Sequence, residues 1–300
     1  MGQAAFGEAV LARLQADGFD IAGVAAPPPA EGARPDPLWA AASAAGLPTI
    51  PTVTLKDATG IDDWRALSAD VCVMAFVTEI IPNHVFTIPR HGTIQYHPSI
   101  LPLHRGSSAI NWAIINGDPE TGLSIFWPDE GIDTGPILIQ KRVAIGAGDT
   151  VGSLYFDHLF PMGVDAVAES VALIRDGNAP RTDQPHELAT YEPPCGDQHA
   201  QIPWYAPAER VSALIRGCNP QPGAWTMVGD AKLRIFDCAL SGDQEPGMPG
   251  RVLRVSDAGV DVRLNGGVLR LNRVQPAGQK KMPAAEWAAA ADIKPGFRFR

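Results

Sequence analysis

The sequence predicts an α/β protein in two parts: an open, doubly wound, mainly parallel sheet, followed by a small β-barrel. Three observations carry that expectation. Up to residue 176, short apolar runs alternate with helical stretches, the pattern of strands joined by crossover helices. Residues 71–76 are apolar almost throughout, as in a strand buried on both faces. Beyond residue 203, β-type runs follow one another closely and are broken by Gly and Asp. The expected domains are residues 1–177 and 204–300, with 178–203 as a polar, Pro-rich linker.

Each element can be read in turn. Residues 4–17 form a helix with Phe6, Val10, Leu11 and Leu14 near one face, and Gly18 stops it. Residues 21–25 form a strand. A doubly wound domain opens on a strand ahead of such a helix, and Met1-Gly2-Gln3 is too short to be one. The first strand is therefore expected to be missing from this chain: either the recorded start is late, the favoured expectation, or the sheet lacks a central strand. Residues 27–37 are a Pro/Ala/Gly loop, 38–45 a helix, 49–53 a strand and 61–67 a helix. After the strand at 71–76 comes a loop over 77–81. Residues 93–96 form a strand that delivers His97 into a Pro-bounded loop. A helix over 107–116 has Ser107 or Ser108 as its cap and Gly117 at its end. The apolar strand at 123–127 feeds an acidic loop, 129–135. Residues 150–176 are helical, capped by Asp149 or Thr150, and Pro161 inside them predicts a kink or a break. Past the linker stand a helix at 208–216 and five strands at 225–228, 232–240, 250–255, 259–264 and 268–274. Such a run suggests an OB-like barrel. A last helix covers 283–291.

Composition narrows the function classes. Apolar residues make up 45% of 300, ordinary for a chain that buries a core. The net charge of −9 is uneven: residues 1–200 hold 10 Lys and Arg against 24 Asp and Glu, while 201–300 hold 14 against 9. The basic C-terminal third can meet an anionic partner such as RNA or a polyglutamate tail, or simply offset an acidic neighbour. Cys72, Cys195, Cys218 and Cys238 form no CxxC pair, which fits a reducing compartment better than a disulfide framework. There is no run of 18 apolar residues and no leader pattern, so no membrane contact is expected and the cytoplasm is the default.

The chemistry concentrates between residues 91 and 141. His97 follows one strand and Asp133 follows the next, and ligands of open α/β sheets sit beyond the carboxyl ends of strands. A carboxylate beside an imidazole fixes its tautomer and suits it to proton transfer near neutral pH. Alone, a His before Pro is more often structural; paired with the Asp133 loop, it reads as functional. A metal site is the rival, since His91, His97, His104, Asp129, Glu130 and Asp133 supply ligand types. Their spacing matches no compact pattern, and His91 and His97 fall at opposite ends of one strand, so no metal is expected. No GxSxG elbow and no phosphate-binding Gly loop is present.

The wording PRHGTIQYHPSILPLHRGSSAINW, followed by SIFWPDEGIDTG, resembles the signature of the folate-dependent formyltransferases. That family includes methionyl-tRNA, glycinamide ribonucleotide and sugar formyltransferases and the hydrolase domain of 10-formyltetrahydrofolate dehydrogenases, to which the wording is most similar. The likeness continues through YEPP, IRGCNPQPGAW and RVQPAGQKKM. It implies a Rossmann-like catalytic domain, an OB-like second domain and 10-formyltetrahydrofolate as formyl donor, with tetrahydrofolate as product. By that likeness His97 and Asp133 match the catalytic His and Asp. Gln95 stands where the family carries Asn, which adds a methylene of reach. Glu79, Ile80 and Ile81 match the loop whose backbone holds the pterin, although ordinary core packing explains Ile80 and Ile81 as well. Asp129 and Gly131 belong to the Asp133 loop at the folate site. Arg105, Gly106 and Asn111 either meet an acceptor or cap the helix after them. The expected acceptor is an amine, on tRNA or on a small molecule. Water, giving hydrolysis to formate, is the alternative, and a non-catalytic folate- or RNA-binding protein is a third reading. The stretch 26–48 holds Arg34 and no Lys, which weakens a tRNA acceptor; the basic C-terminal domain keeps RNA contact open.

Overall fold

The computed structural model describes residues 1–243 and 245–299. The chain forms two compact units, each assembled from separate stretches. Residues 1–107, 122–143 and 156–191 make the first; 108–121, 144–155 and 192–300 make the second. The longer helices are α1 (Ala4–Ala16), α2 (Pro37–Ala44), α3 (Ala58–Ala66), α4 (Ala109–Asn116), α5 (Phe160–Arg175), α6 (Ala208–Gly217) and α7 (Ala284–Ala290).

In the first unit, β1 (Val24–Ala26) pairs in parallel with β2 (Thr49–Pro51). β3 (Cys72–Met74) pairs in parallel with β4 (Thr93–His97). β5 (Glu120–Phe126) lies beyond β4, and β6 (Ile137–Ala144) lies beyond β5. Packing follows the residue spacing. Phe6, Val10 and Leu14 recur every fourth residue, so α1 presents one apolar face. That face and Ala166, Val167, Val171 and Ile174 of α5 bury against Ile94 and Tyr96 of β4 and Leu123 and Ile125 of β5. Burial of each large side chain there contributes roughly 1.5–3 kcal/mol. Alternation along a strand then turns Gln95 and His97 to the other face. Pro161 sits in the first turn of α5, where its missing N–H is not needed; a π-helical stretch, Leu154–Leu159, precedes it. The break expected at this proline is present.

Three sequence expectations need correction. β5 runs antiparallel to β4, with Gln95 opposite Phe126 and His97 opposite Ser124. The carboxyl ends of these two strands therefore do not share one edge of the sheet. β6 was not expected at all: its burial is mixed along its length, so no clean alternation marks it. Residues 1–3, expected to be too short for a strand, take part in the sheet. The Met1 amine donates to Val73 O at 2.9 Å, Ala75 N donates to Met1 O at 2.9 Å, and Gly2 N donates to Ala25 O at 2.9 Å. They thus stitch β1 to β3. A Cβ at Gly2 would lie 2.2 Å from Ala75 O, so only glycine permits this approach. Beside Met1 opens a cavity of about 580 Å³, lined among others by Leu11, Val24, Trp64, Val71 and Val171.

The second unit holds β7 (Ala224–Val228), β8 (Ala231–Ser241), β9 (Val252–Ser256), β10 (Gly259–Leu264), β11 (Gly267–Pro276) and β12 (Met282–Pro283). The order is β7-β8-β11-β10-β9, with β12 on β11, and the neighbours pair antiparallel. Among the described residues no pairing joins β7 to β9, so the expected barrel is an open antiparallel sheet. Its core includes Trp204 stacked on Phe299 with ring centroids 4.8 Å apart. Among the described residues no helix is long and apolar enough to cross a membrane.

Candidate active site

The site is built by two loops of the first unit. The His97 loop is pinned from below by Ser124, a fully buried hydroxyl on β5. Ser124 Oγ donates to Ser99 O at 2.7 Å and accepts from Leu101 N at 3.1 Å and from Gln140 Nε2 at 2.9 Å. Gln140 Nε2 also donates to Leu101 O at 2.8 Å. The loop then turns through His104, whose φ of +55° is left-handed, and brings the His104 carbonyl back to His97 Nε2 at 2.9 Å. A carbonyl only accepts, so Nε2 carries the proton and Nδ1 of the neutral ring is left with a lone pair.

Nδ1 faces the second loop. Asp133 Oδ2 lies 3.5 Å from it, and both side chains are more than nine-tenths buried. The same Oδ2 accepts from Gly106 N at 2.8 Å. Among the described residues Asp133 Oδ1 has no hydrogen-bond partner. Because β5 is antiparallel to β4, the loop after β5 folds back to reach His97. Its shape is held internally: Asp129 Oδ1 accepts from Gly131 N at 3.0 Å and from the Thr134 hydroxyl. At Gly135 a Cβ would fall 1.8 Å from Trp127 O.

In this geometry the Nε2–H of His97 is committed to His104 O, and an N–H at Nδ1 would have Asp133 Oδ2 as its acceptor. Gln95 is half-buried on β4, and among the described residues its amide has no hydrogen-bond partner.

The remaining expected residues divide. Glu79 is engaged by Lys56 at 3.7 Å and by the Thr52 hydroxyl at 3.5 Å. Ile80 is 86% exposed, whereas Ile81 is buried with Cys72, Met74 and Val85, as core packing requires. Asp129 and Gly131 shape the loop rather than point out of it. Arg105, expected to meet an acceptor or cap a helix, is buried: it donates to Tyr191 Oη at 2.6 Å and to Gln184 Oε1 at 2.6 Å. Asn111 belongs to the second unit, where it donates to Gly217 O and Gln221 O. Among the described residues no group of three or more His, Cys, Asp or Glu gathers as metal ligands do. The sequence reading passed over Ser124, Gln140, Gln184 and Thr190, which hold the loops. Their partners lie 16 to 86 residues away, and no local pattern announces them.

Known proteins share this framework. Residues 32–160 match the family described as formyl transferase, and residues 196–292 match its C-terminal domain. The chain is 39% identical to the cytosolic 10-formyltetrahydrofolate dehydrogenase of Xenopus laevis, over 97% of this chain and 34% of that protein. It thus spans about a third of the curated dehydrogenases it matches. It is 31% identical to the methionyl-tRNA formyltransferase of Geobacter sulfurreducens, over 100% of this chain and 95% of that one. In fold it is similar to WlaRD, a sugar 3N-formyl transferase solved with dTDP and 5-N-formyl-tetrahydrofolate, at a TM-score of 0.69, 16% identity and coverage of 93% and 97%. It is also similar to HypX from Aquifex aeolicus in complex with tetrahydrofolic acid, at a TM-score of 0.64, 18% identity and coverage of 82% and 43%. Matched in both family regions, and along its whole length by one relative, the chain belongs to the folate-dependent formyltransferase family.

Proposed function

We propose that this chain moves the formyl group of 10-formyltetrahydrofolate to an amine and releases tetrahydrofolate. The observation that carries the reading is the buried facing of His97 Nδ1 and Asp133 Oδ2 at 3.5 Å; among the described residues neither Asp133 Oδ1 nor the Gln95 amide has a hydrogen-bond partner. The acceptor nitrogen attacks the formyl carbon, and the C–N10 bond breaks. The electron pair returns to N10, which takes up a proton. Asp133 and His97 Nδ1 receive the proton the acceptor loses and pass it on to N10. Gln95 donates to the formyl oxygen as charge grows there; loss of one such donor costs about 3 kcal/mol.

In this reading the backbone of Glu79, Ile80 and Ile81 holds the pterin, and Asp129 and Gly131 keep the Asp133 loop in shape. The first unit carries the donor and the chemistry, and the antiparallel-sheet unit that includes residues 204–300 has a basic charge that suits an RNA-borne acceptor. Water as acceptor is the second reading, favoured by the 39% identity to a dehydrogenase named for the same folate. The test supplies 10-formyltetrahydrofolate alone, then with charged initiator tRNA or small amines. Release of tetrahydrofolate only with an amine supports transfer. Equal release without one supports hydrolysis, and no release under any condition overturns both.

A further inference from the structure

The segment after α5 crosses both loops of the site. Thr182 pairs with Ile137 just past the Asp133 loop, with N–O distances of 2.8 and 2.9 Å. Gln184 Nε2 donates to Asp133 O at 2.9 Å and to Gly135 O at 2.7 Å. Six residues on, Thr190 Oγ1 accepts from His104 N at 2.8 Å. Thr190 O accepts from Arg105 N at 3.1 Å, and Thr190 N donates to Pro102 O at 3.2 Å. One short stretch therefore fixes the turn that holds His97 and the backbone that carries Asp133.

Gln184 has only one amide orientation available. Its Oε1 faces the guanidinium of Arg105, with Nη2 at 2.6 Å and Nε at 3.3 Å. A guanidinium cannot accept, and the two carbonyls opposite cannot donate. Flipping the amide would make all four contacts repulsive. Arg105 is itself held: Nη1 donates to Tyr191 Oη at 2.6 Å and Nη2 to His186 Nδ1 at 2.9 Å. Gln184 and Arg105 are 4% and 3% exposed, so water does not substitute for these bonds. What they hold is strained. Asp133 has φ of +56°, a left-handed backbone that costs a non-glycine residue about 1 kcal/mol or more.

We propose that Gln184 is a positioning residue for the reaction: it sets where the Asp133 carboxylate stands against His97, and Arg105 fixes its orientation. The inference rests on His97 and Asp133 being the working pair. Gln184 acts only through the backbone at Asp133 and Gly135.

Two variants test it. Gln184→Met removes the amide at similar size. Gln184→Glu keeps a partner for Arg105 but turns a carboxylate oxygen toward two carbonyls. The readouts are tetrahydrofolate release from 10-formyltetrahydrofolate and the ¹⁵N resonances of the His97 ring across a pH series. In either folded variant kcat should fall about 10- to 100-fold, as a displacement near 1 Å does, with KM for the folate little changed. The His97 ring resonances should shift from those of the wild type. A purely structural Gln184 would lower thermal stability and leave the kcat of the folded protein and the ring resonances as they were, which overturns the proposal. Should the wild type release no tetrahydrofolate, the formyl reading fails, and the ring resonances alone decide the positioning claim. Moved resonances then support it and unmoved ones overturn it.

Discussion

Asp133→Asn isolates the chemistry of the pair from its packing. The asparagine has nearly the same shape, and its single oxygen can take the place of Oδ2 and keep the 2.8 Å bond from Gly106 N. In that orientation the oxygen still faces His97 Nδ1, but the amide nitrogen occupies the Oδ1 position. The flipped orientation sets an NH₂ against the Gly106 N–H, so the bond to Gly106 selects the first. Stability then loses only the difference between a charged and a neutral acceptor, about 1 kcal/mol. Catalysis loses more. The group that takes a proton is gone, and a protonated His97 no longer faces a carboxylate. General acid–base groups contribute about 100- to 10,000-fold, so kcat for tetrahydrofolate release should fall by at least about 100-fold. Because the change leaves the folate contacts in place, KM should move little. The assay is steady-state tetrahydrofolate release, with circular dichroism to confirm the fold. A folded Asp133→Asn protein that retains the wild-type kcat within about threefold refutes the reasoning.

Other perturbations have equally definite outcomes. Gln95→Ala should lower kcat by about 100- to 1,000-fold if its amide supports the formyl oxygen, measured as single-turnover rates; an unchanged rate removes Gln95 from the site. Ser124→Ala strips partners from Ser99 O and Leu101 N in a fully buried position, so urea unfolding should show a loss of about 2–4 kcal/mol. An unshifted midpoint contradicts that. The four thiols should alkylate unequally under native conditions, since the thiolate is the reactive form. Cys195 accepts a hydrogen bond from Cys218, which lowers its pKa. That same bond raises the Cys218 thiol, and burial pushes Cys72 up and Cys238 up to about 12. Mass spectrometry after iodoacetamide at mildly alkaline pH should find the label first on Cys195, and early labelling of Cys72, Cys218 or Cys238 contradicts the assignment.

The legible parts of this molecule are those in which local spacing meets burial. Phe6, Val10 and Leu14 announce α1, Gly117 marks the end of α4 with φ of +78°, and Pro161 marks the break before α5. The stretch 259–264 was readable as a strand because turn residues bound it and apolar residues alternate within it. Pairing direction was not readable. Nothing in residues 120–126 states that Phe126 lies opposite Gln95, because direction is set by the long path through α4. The half-exposed β6 gave no period. Within the candidate site, the sequence nominated His97 and Asp133, but not the geometry that sets them 3.5 Å apart. The proton on Nε2 follows from His104 folding back through a left-handed turn, and the placement of Asp133 follows from Gln184, 51 residues away. Polar residues in a Pro-rich stretch read as a connector until their distant partners are seen.

The most direct measurement is the position of a bound folate. A crystal structure with 5-formyltetrahydrofolate should place the pterin against the backbone of residues 79–81, and N10 and the formyl group beside Gln95 and the His97–Asp133 pair, within hydrogen-bond reach of about 3 Å directly or through one water. A folate bound elsewhere, with His97 and Asp133 still facing each other and untouched, contradicts the account.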